Sequence, residues 1–229
     1  MVRWPDEYPD PASVRFPEEK WDPNFKKAIP EALKYPDRLT AVDLIDPPDT
    51  PTVRGELDAI LSHRDASDFA DRVPDIRTED GAPPPSLFRP LRADTDGPNQ
   101  NTRKLLLAAV TWSVPYIMYF KSVRMRPRPN QLDPTIETVV GVPGHPAYPS
   151  GHSTQAHLMA LVGYEISRDR KIRATLWAAA DRIAENREYA GLHYRSDSLC
   201  GTELGRQLLP FFIQDHLPDI VAVRNEEWP

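Results

Sequence analysis

The chain has 229 residues, 40% of them hydrophobic and 27% charged, with a formal net charge of -6, one cysteine and 26 prolines. That length supports one domain with a substantial core, or at most two small ones. The acidic balance gives no chain-wide pull toward nucleic acid or anionic lipid, so an anion site has to be built locally from a few placed cations. Cys200 alone forms no internal disulfide, and the first ten residues carry no apolar run behind a basic start. A reducing cytoplasm is therefore the expected location.

Sixteen of the prolines fall in residues 1–100, among them Pro47-Pro48 and Pro83-Pro84-Pro85. Proline fixes φ and removes an amide donor, so this half reads as extended, surface-wrapping chain. Within it Val53, Leu57, Ile60 and Leu61 recur at helical spacing and predict a helix over 52–64. A second short helix is expected over 66–72, followed by a loop over 78–101. From residue 103 the pattern changes to long helices, placed at 103–122, 151–167, 171–189 and 197–214. The apolar run Leu105 to Phe120 is interrupted by Thr111, Ser113 and Pro115. At sixteen residues it falls short of the roughly 18 to 20 that a bilayer span needs and reads as a buried core helix containing Trp112, Tyr116 and Phe120. Nothing alternates with period two. The expected fold is all-α, a helical bundle over 103–229 with a proline-rich wrap over 1–102, together one structural domain.

Three segments place polar residues beside runs that would otherwise be core. Lys121 is followed after six residues by Arg128-Pro129; Pro149-Ser150-Gly151-His152 precedes a helix; Arg187 is followed by His193 and then Asp197. Ser150 and Gly151 sit where a helix begins, and a helix N-terminus offers free amides and a positive dipole end to an anion. Lys121, Arg128 and Arg187 can surround the same point with three cations, two of them forked to match paired oxygens. Such a set describes a cage for a tetrahedral oxyanion. His152 is then a proton donor or acceptor beside it, and His193 an in-line nucleophile or a ligand. Asp197 can accept from the other ring nitrogen of His193 and fix its tautomer.

In order and spacing these segments resemble the signature shared by type 2 phosphatidic acid phosphatases, bacterial class A acid phosphatases and vanadium-dependent haloperoxidases. Asn186 departs from the serine that usually precedes the arginine there. The resemblance implies that Lys121, Arg128, Ser150, Gly151, Arg187 and His193 bind vanadate, or phosphate competing for the same place. It implies His152 as general acid/base and His193 as the vanadium ligand, or as a phosphohistidine in a phosphatase. The lead-in His145-Pro146-Ala147-Tyr148 resembles the haloperoxidases, and His145, five positions before Ser150, resembles a histidine of bromide-using members that assists proton handling or halide oxidation. Met118 stands where chloride-using members have tryptophan. The expectation is a haloperoxidase oxidising bromide or iodide with hydrogen peroxide, with Lys121, His145, His152, His193 and Asp197 catalytic. The alternative is a soluble phosphatase hydrolysing phosphate monoesters through His193. No nucleic acid and no membrane span are expected; a homodimer is plausible.

Each residue also has a plainer reading. Arg128 can cap helix carbonyls, Ser150 can be a simple N-cap, and His193 a packing histidine. Asp197 can pair with Arg195 or cap the last helix, and His145 can be a loop hydrogen-bonder. His157, five after His152, falls off that helical face and reads as structural or exposed. No spacing supports zinc on these histidines, and Cys200 reads as a buried thiol.

Overall fold

The structure, a computed structural model, describes residue 10 and residues 13–81, 83–223 and 226. Among these residues there is no strand, and the fold is all-helical. In chain order the proline-rich half contributes α1 (Pro23–Lys26), α2 (Ile29–Ala32), α3 (Pro36–Ala41), α4 (Thr50–His63) and α5 (Phe69–Glu79). There follow α6 (Gln100–Arg124), α7 (Pro129–Leu132), α8 (Gly151–Ile166), α9 (Arg170–Tyr189), α10 (Arg195–Asp215) and α11 (Leu217–Val223). The long helices α6, α8, α9 and α10 form the bundle.

These four lie where the periodicity put them, within a few residues. The N-terminal half differs in an instructive way. Helices α1, α2 and α3 each carry a proline in their first two positions, Pro23, Pro30 and Pro36. At that position the missing amide is one the helix leaves unpaired anyway, so proline starts these turns rather than breaking them. The helix expected over 66–72 runs instead from Phe69 to Glu79, straight through Pro74. Its buried Arg72 and Ile76 pack on α9, and that tertiary contact overrides the local break. The expected loop over 78–101 contains the end of α5 and two short 3-10 turns, Pro85–Leu87 and Arg89–Leu91.

Helix α8 is the axis of the bundle, packed by α6, α9 and α10. Its crossing with α10 rests on two glycines one turn apart. A Cβ on Gly201 would stand 2.6 Å from the Ser150 carbonyl oxygen, and one on Gly205 would stand 2.8 Å from that of Thr154. Bare glycine lets the two backbones touch, and it brings the start of α8 against the start of α10. The Ser150 amide then donates to the Asp197 carbonyl oxygen at 3.0 Å. Tyr116, Phe120 and Cys200 are buried in the adjoining core, while Trp112 is half-buried and donates from Nε1 to Asp215 at 2.9 Å. The segment Gln100–Leu132 is long and apolar enough by length and composition to cross a membrane, longer than the sixteen-residue run suggested, and 44% of its apolar window is buried within the protein.

Candidate active site

Helix α6 ends in a left-handed Met125, whose amide closes on the Lys121 carbonyl oxygen. The alternation Arg126-Pro127-Arg128-Pro129 then holds the chain extended, and Arg128 becomes the N-cap of α7. Lys121 on the last turn of α6 and Arg128 at this cap both turn inward and are fully buried. The Lys121 ammonium donates to the carbonyl oxygens of Pro146, Ala147 and Pro149 at 2.7, 2.8 and 2.6 Å, fastening the loop that leads into Ser150. Burial, and then the neighbouring Arg128, holds its pKa well below the usual lysine value.

Arg128 is the centre of the cluster. Its Nε donates to the His145 carbonyl oxygen at 3.1 Å, one terminal nitrogen to Leu192 O at 2.9 Å and His193 Nε2 at 3.0 Å, and the other to His145 Nδ1 at 3.0 Å. Burial lowers its pKa to about 10. A guanidinium has no acceptor, so its contact with His193 fixes that tautomer, with the lone pair on Nε2. His145 Nδ1 lies between the guanidinium and the Pro146 carbonyl oxygen, 3.1 Å away. The His193 proton sits on Nδ1 and is donated to Asp197 Oδ2 at 2.9 Å. His193, at 2% exposure, is held well below the ordinary histidine pKa by burial and then by Arg128 and Lys121. His145 is held there by burial and then by Lys121 and Arg128.

Arg187, on the last turn of α9, is fully buried. It donates to Ile76 O at 3.1 Å and to Asp80 Oδ1 at 3.3 Å, and its Nε is buried with no hydrogen-bond partner. His152 stands beside it, with Nε2 at 3.5 Å from the guanidinium and 3.2 Å from Glu79 O. The second contact is the better hydrogen bond and places the proton on Nε2. Burial and then Arg187 lower the His152 pKa to about 3, so the ring is uncharged at neutral pH. Ser150, fully buried, is the N-cap of α8, and its Oγ accepts from Ser153 N at 3.4 Å. Gly151 is the first residue of that helix.

The structure therefore brings Lys121, Arg128, Ser150, Gly151, His152, Arg187, His193 and Asp197 together, with His145 on the Arg128 side. Asp197 does two of the things open to it: it accepts from His193 and, through Oδ2, from the Tyr194 amide at 3.1 Å, capping α10. It does not pair with Arg195, which reaches Glu188 at 3.4 Å. His157 is fully buried and structural, bonded to Ser153 O at 2.8 Å and to Asp181 at 3.1 Å.

Sequence reasoning missed three contributors. Arg126 donates to Asp197 Oδ1 at 2.6 Å and to Glu56 at 3.0 Å, with its guanidinium 3.8 Å from the Tyr194 ring centre. It was visible as the first arginine of the Arg-Pro-Arg-Pro alternation, without a motif to single it out. Glu79 and Asp80 come from the wrap, where neither composition nor spacing linked them to the cage. Asn186 also acquires a role: its amide donates to both oxygens of Glu79 at 3.1 Å, and its oxygen accepts from Arg72 at 3.1 Å. A serine is too short to bridge that gap.

The helical bundle thus gathers three buried cations and an oriented histidine into one cluster. The model of the PAP2 superfamily matches residues 103–219, and the chain belongs to that superfamily, whose enzymes are phosphatases or haloperoxidases. Among solved structures it is similar to the first bacterial vanadium-dependent iodoperoxidase, at 20% identity with a TM-score of 0.57, over 76% of this chain and 53% of that one. The chain spans about half the length of that enzyme, and the likeness is one of fold. No curated protein sequence matches it.

Proposed function

We propose that the chain is a vanadium-dependent haloperoxidase that oxidises bromide or iodide with hydrogen peroxide. The residues fit vanadate on the chemistry of the site itself. Lys121, Arg128 and Arg187 are buried cations, the nearest fully buried carboxylate, Asp197, is already shared by Arg126 and His193, and Arg187 Nε is a buried donor without an acceptor. Buried positive charge of this kind calls for an anion with several acceptor oxygens. Arg187, Ser150 and Gly151 would hold it, with Lys121 and Arg128 supplying positive charge beside it, and His193 Nε2 would ligate the metal once Arg128 gives up its contact to that nitrogen.

When bound, vanadate supplies a Lewis-acid centre that activates peroxide at constant oxidation state. The chain's own part is proton control. Asp197 keeps the His193 proton on Nδ1, so Nε2 keeps a lone pair, which Arg128 meets at 3.0 Å. His152 is uncharged, with its Nε2 proton toward Glu79 O, and would become the base for hydrogen peroxide when a bound anion offsets the Arg187 charge that holds its pKa down. His145 carries the reading: a phosphatase needs two histidines, an in-line nucleophile and an acid, whereas this cage has a third, held uncharged on Arg128 with its ring 4.7 Å from Phe25.

The second reading is a phosphatase, favoured by the same His193 Nε2, whose lone pair can serve as a nucleophile toward phosphorus. One paired assay separates them: protein loaded with orthovanadate is tested for bromination of a phenolic dye, and protein without it for hydrolysis of nitrophenyl phosphate. Vanadate-dependent bromination with negligible hydrolysis is expected. Hydrolysis that vanadate inhibits, without bromination, would establish the phosphatase instead.

A further inference from the structure

A cavity of about 200 Å³ is lined in part by His152, and Arg128 is not among its lining residues. Leu87, Val110, Ala156, Met159 and Ile183 form its walls, with Gln155 beside His152. An apolar cavity of about 150 Å³ takes a benzene, so this one has room for a substituted ring. Its polar lining groups are few, namely Glu79, Asp80, His152 and Gln155, as in sites that orient a small organic molecule. Glu79 and Asp80 also line it, the first accepting from Asn186 and the second from Arg187, each with lone pairs to spare. Carboxylates welcome a hydroxyl or amino donor and repel a second anion. The cation cluster that Arg187 joins beside His152 has the opposite preference.

We propose that this cavity is a binding site for an uncharged, hydroxylated aromatic acceptor, which is halogenated in place rather than by released hypohalous acid. The proposal rests on the haloperoxidase reading for its chemical step. In that step hydrogen peroxide takes two electrons from bromide, a ring carbon forms the C–Br bond and loses its proton, and two waters leave. One proton is consumed overall. His152 is the wall shared by cage and cavity, so the acceptor lies next to where the oxidised halide is made.

The test has a binding arm and a product arm. Isothermal titration of vanadate-free protein with 4-methylphenol should show one site, and 4-methylbenzoate, of the same ring but anionic, should bind about tenfold more weakly or not at all. Val110→Phe, at a half-buried wall position, should weaken 4-methylphenol about tenfold by filling the space. Gln155→Trp fills the same space from another helix and covers the case in which the first variant folds poorly. In the product arm, the loaded enzyme is given 4-methylphenol and a bulkier phenol that reagent hypobromite brominates equally. The wild type should favour the smaller ring, and both variants should return to the reagent ratio while oxidising bromide at the wild-type rate. Absent or variant-insensitive phenol binding, or a wild-type ratio equal to the reagent's, overturns the cavity and leaves the haloperoxidase standing. Phenol binding without any bromide oxidation overturns the haloperoxidase and in-place halogenation with it.

Discussion

The His193–Asp197 pair has a third member in Arg126, and the three set the character of the cage. Asp197 is fully buried and takes a proton contact from His193 on one oxygen and from Arg126 on the other. Replacing it with Asn keeps the shape but offers Arg126 an uncharged partner and lets the amide donate toward His193, favouring the wrong tautomer. Outer-sphere partners of metal-bound histidine are worth about 10- to 100-fold in affinity. Asp197→Asn is therefore expected to weaken vanadate binding by about that factor, read from titration of activity with orthovanadate; unchanged affinity would show that Asp197 does not orient His193. His193→Ala should abolish turnover in the same assay, and a variant that still brominates would remove His193 from the mechanism. These inner residues could be singled out in the sequence because they stand in three short segments at the offsets of a shared signature, and the structure brings them into contact. Arg126 was not, because a second arginine two residues from the first gains its meaning only when Glu56 and Asp197, from distant parts of the chain, fold against it.

Between elements, the decisive contact is the crossing of α8 and α10 at Gly201 and Gly205. Alanine is the better helix former by about 1 kcal/mol, so helix propensity alone makes Gly201→Ala stabilising. The added Cβ meets the Ser150 carbonyl oxygen at 2.6 Å and Ser153 Cβ at 2.8 Å, and neither backbone nor β-carbon can swing aside. Overpacking of this kind costs about 1 to 3 kcal/mol and should win. Gly201→Ala is expected to lower the midpoint of denaturant unfolding and to weaken oxyanion binding, since opening the crossing moves Ser150 from Asp197; a more stable variant would contradict the close approach. A second clamp joins α5 to α9. Asn186→Ser takes the amide from Glu79, a carboxyl only 6% exposed, and a buried acceptor left without its donor is worth about 1 to 3 kcal/mol. Of these elements the long periodic helices were legible from residue 103 onward, because four turns of apolar spacing outweigh local noise. The wrap was not: its helices begin on proline or run through it, and what stabilises them is contact with the bundle.

For the molecule as a whole, the cage is a local excess of positive charge inside an acidic chain, and its stability should depend on pH and on anions. Burial, with Arg187 second, moves His152 from its ordinary 6.5 to about 3, so the unfolded chain binds a proton that the folded one refuses in that window. Stability from this ring is present above pH 6.5 and lost as pH falls toward 3. His145 and His193 are shifted in the same direction. Glu188 opposes them: burial raises its pKa from 4.5 to about 7, and its contribution is lost as pH rises through that range. Three histidines against Glu188 and Glu79, whose pKa burial also raises, predict a net loss of stability on acidification from pH 6.5 to 5. An oxyanion acts on the same imbalance, because it gives Lys121, Arg128 and Arg187 a partner that the unfolded chain cannot organise. A ligand at about 100 times its dissociation constant stabilises by about 2.7 kcal/mol. For a chain of this size that is a rise in Tm of roughly 5 to 10 °C. Orthovanadate and phosphate should each produce it in a thermal melt at constant ionic strength, chloride should not, and Arg187→Ala should suppress it. A melt indifferent to both oxyanions at millimolar concentration would mean that these cations do not form one site, and the proposed chemistry would lose its foundation.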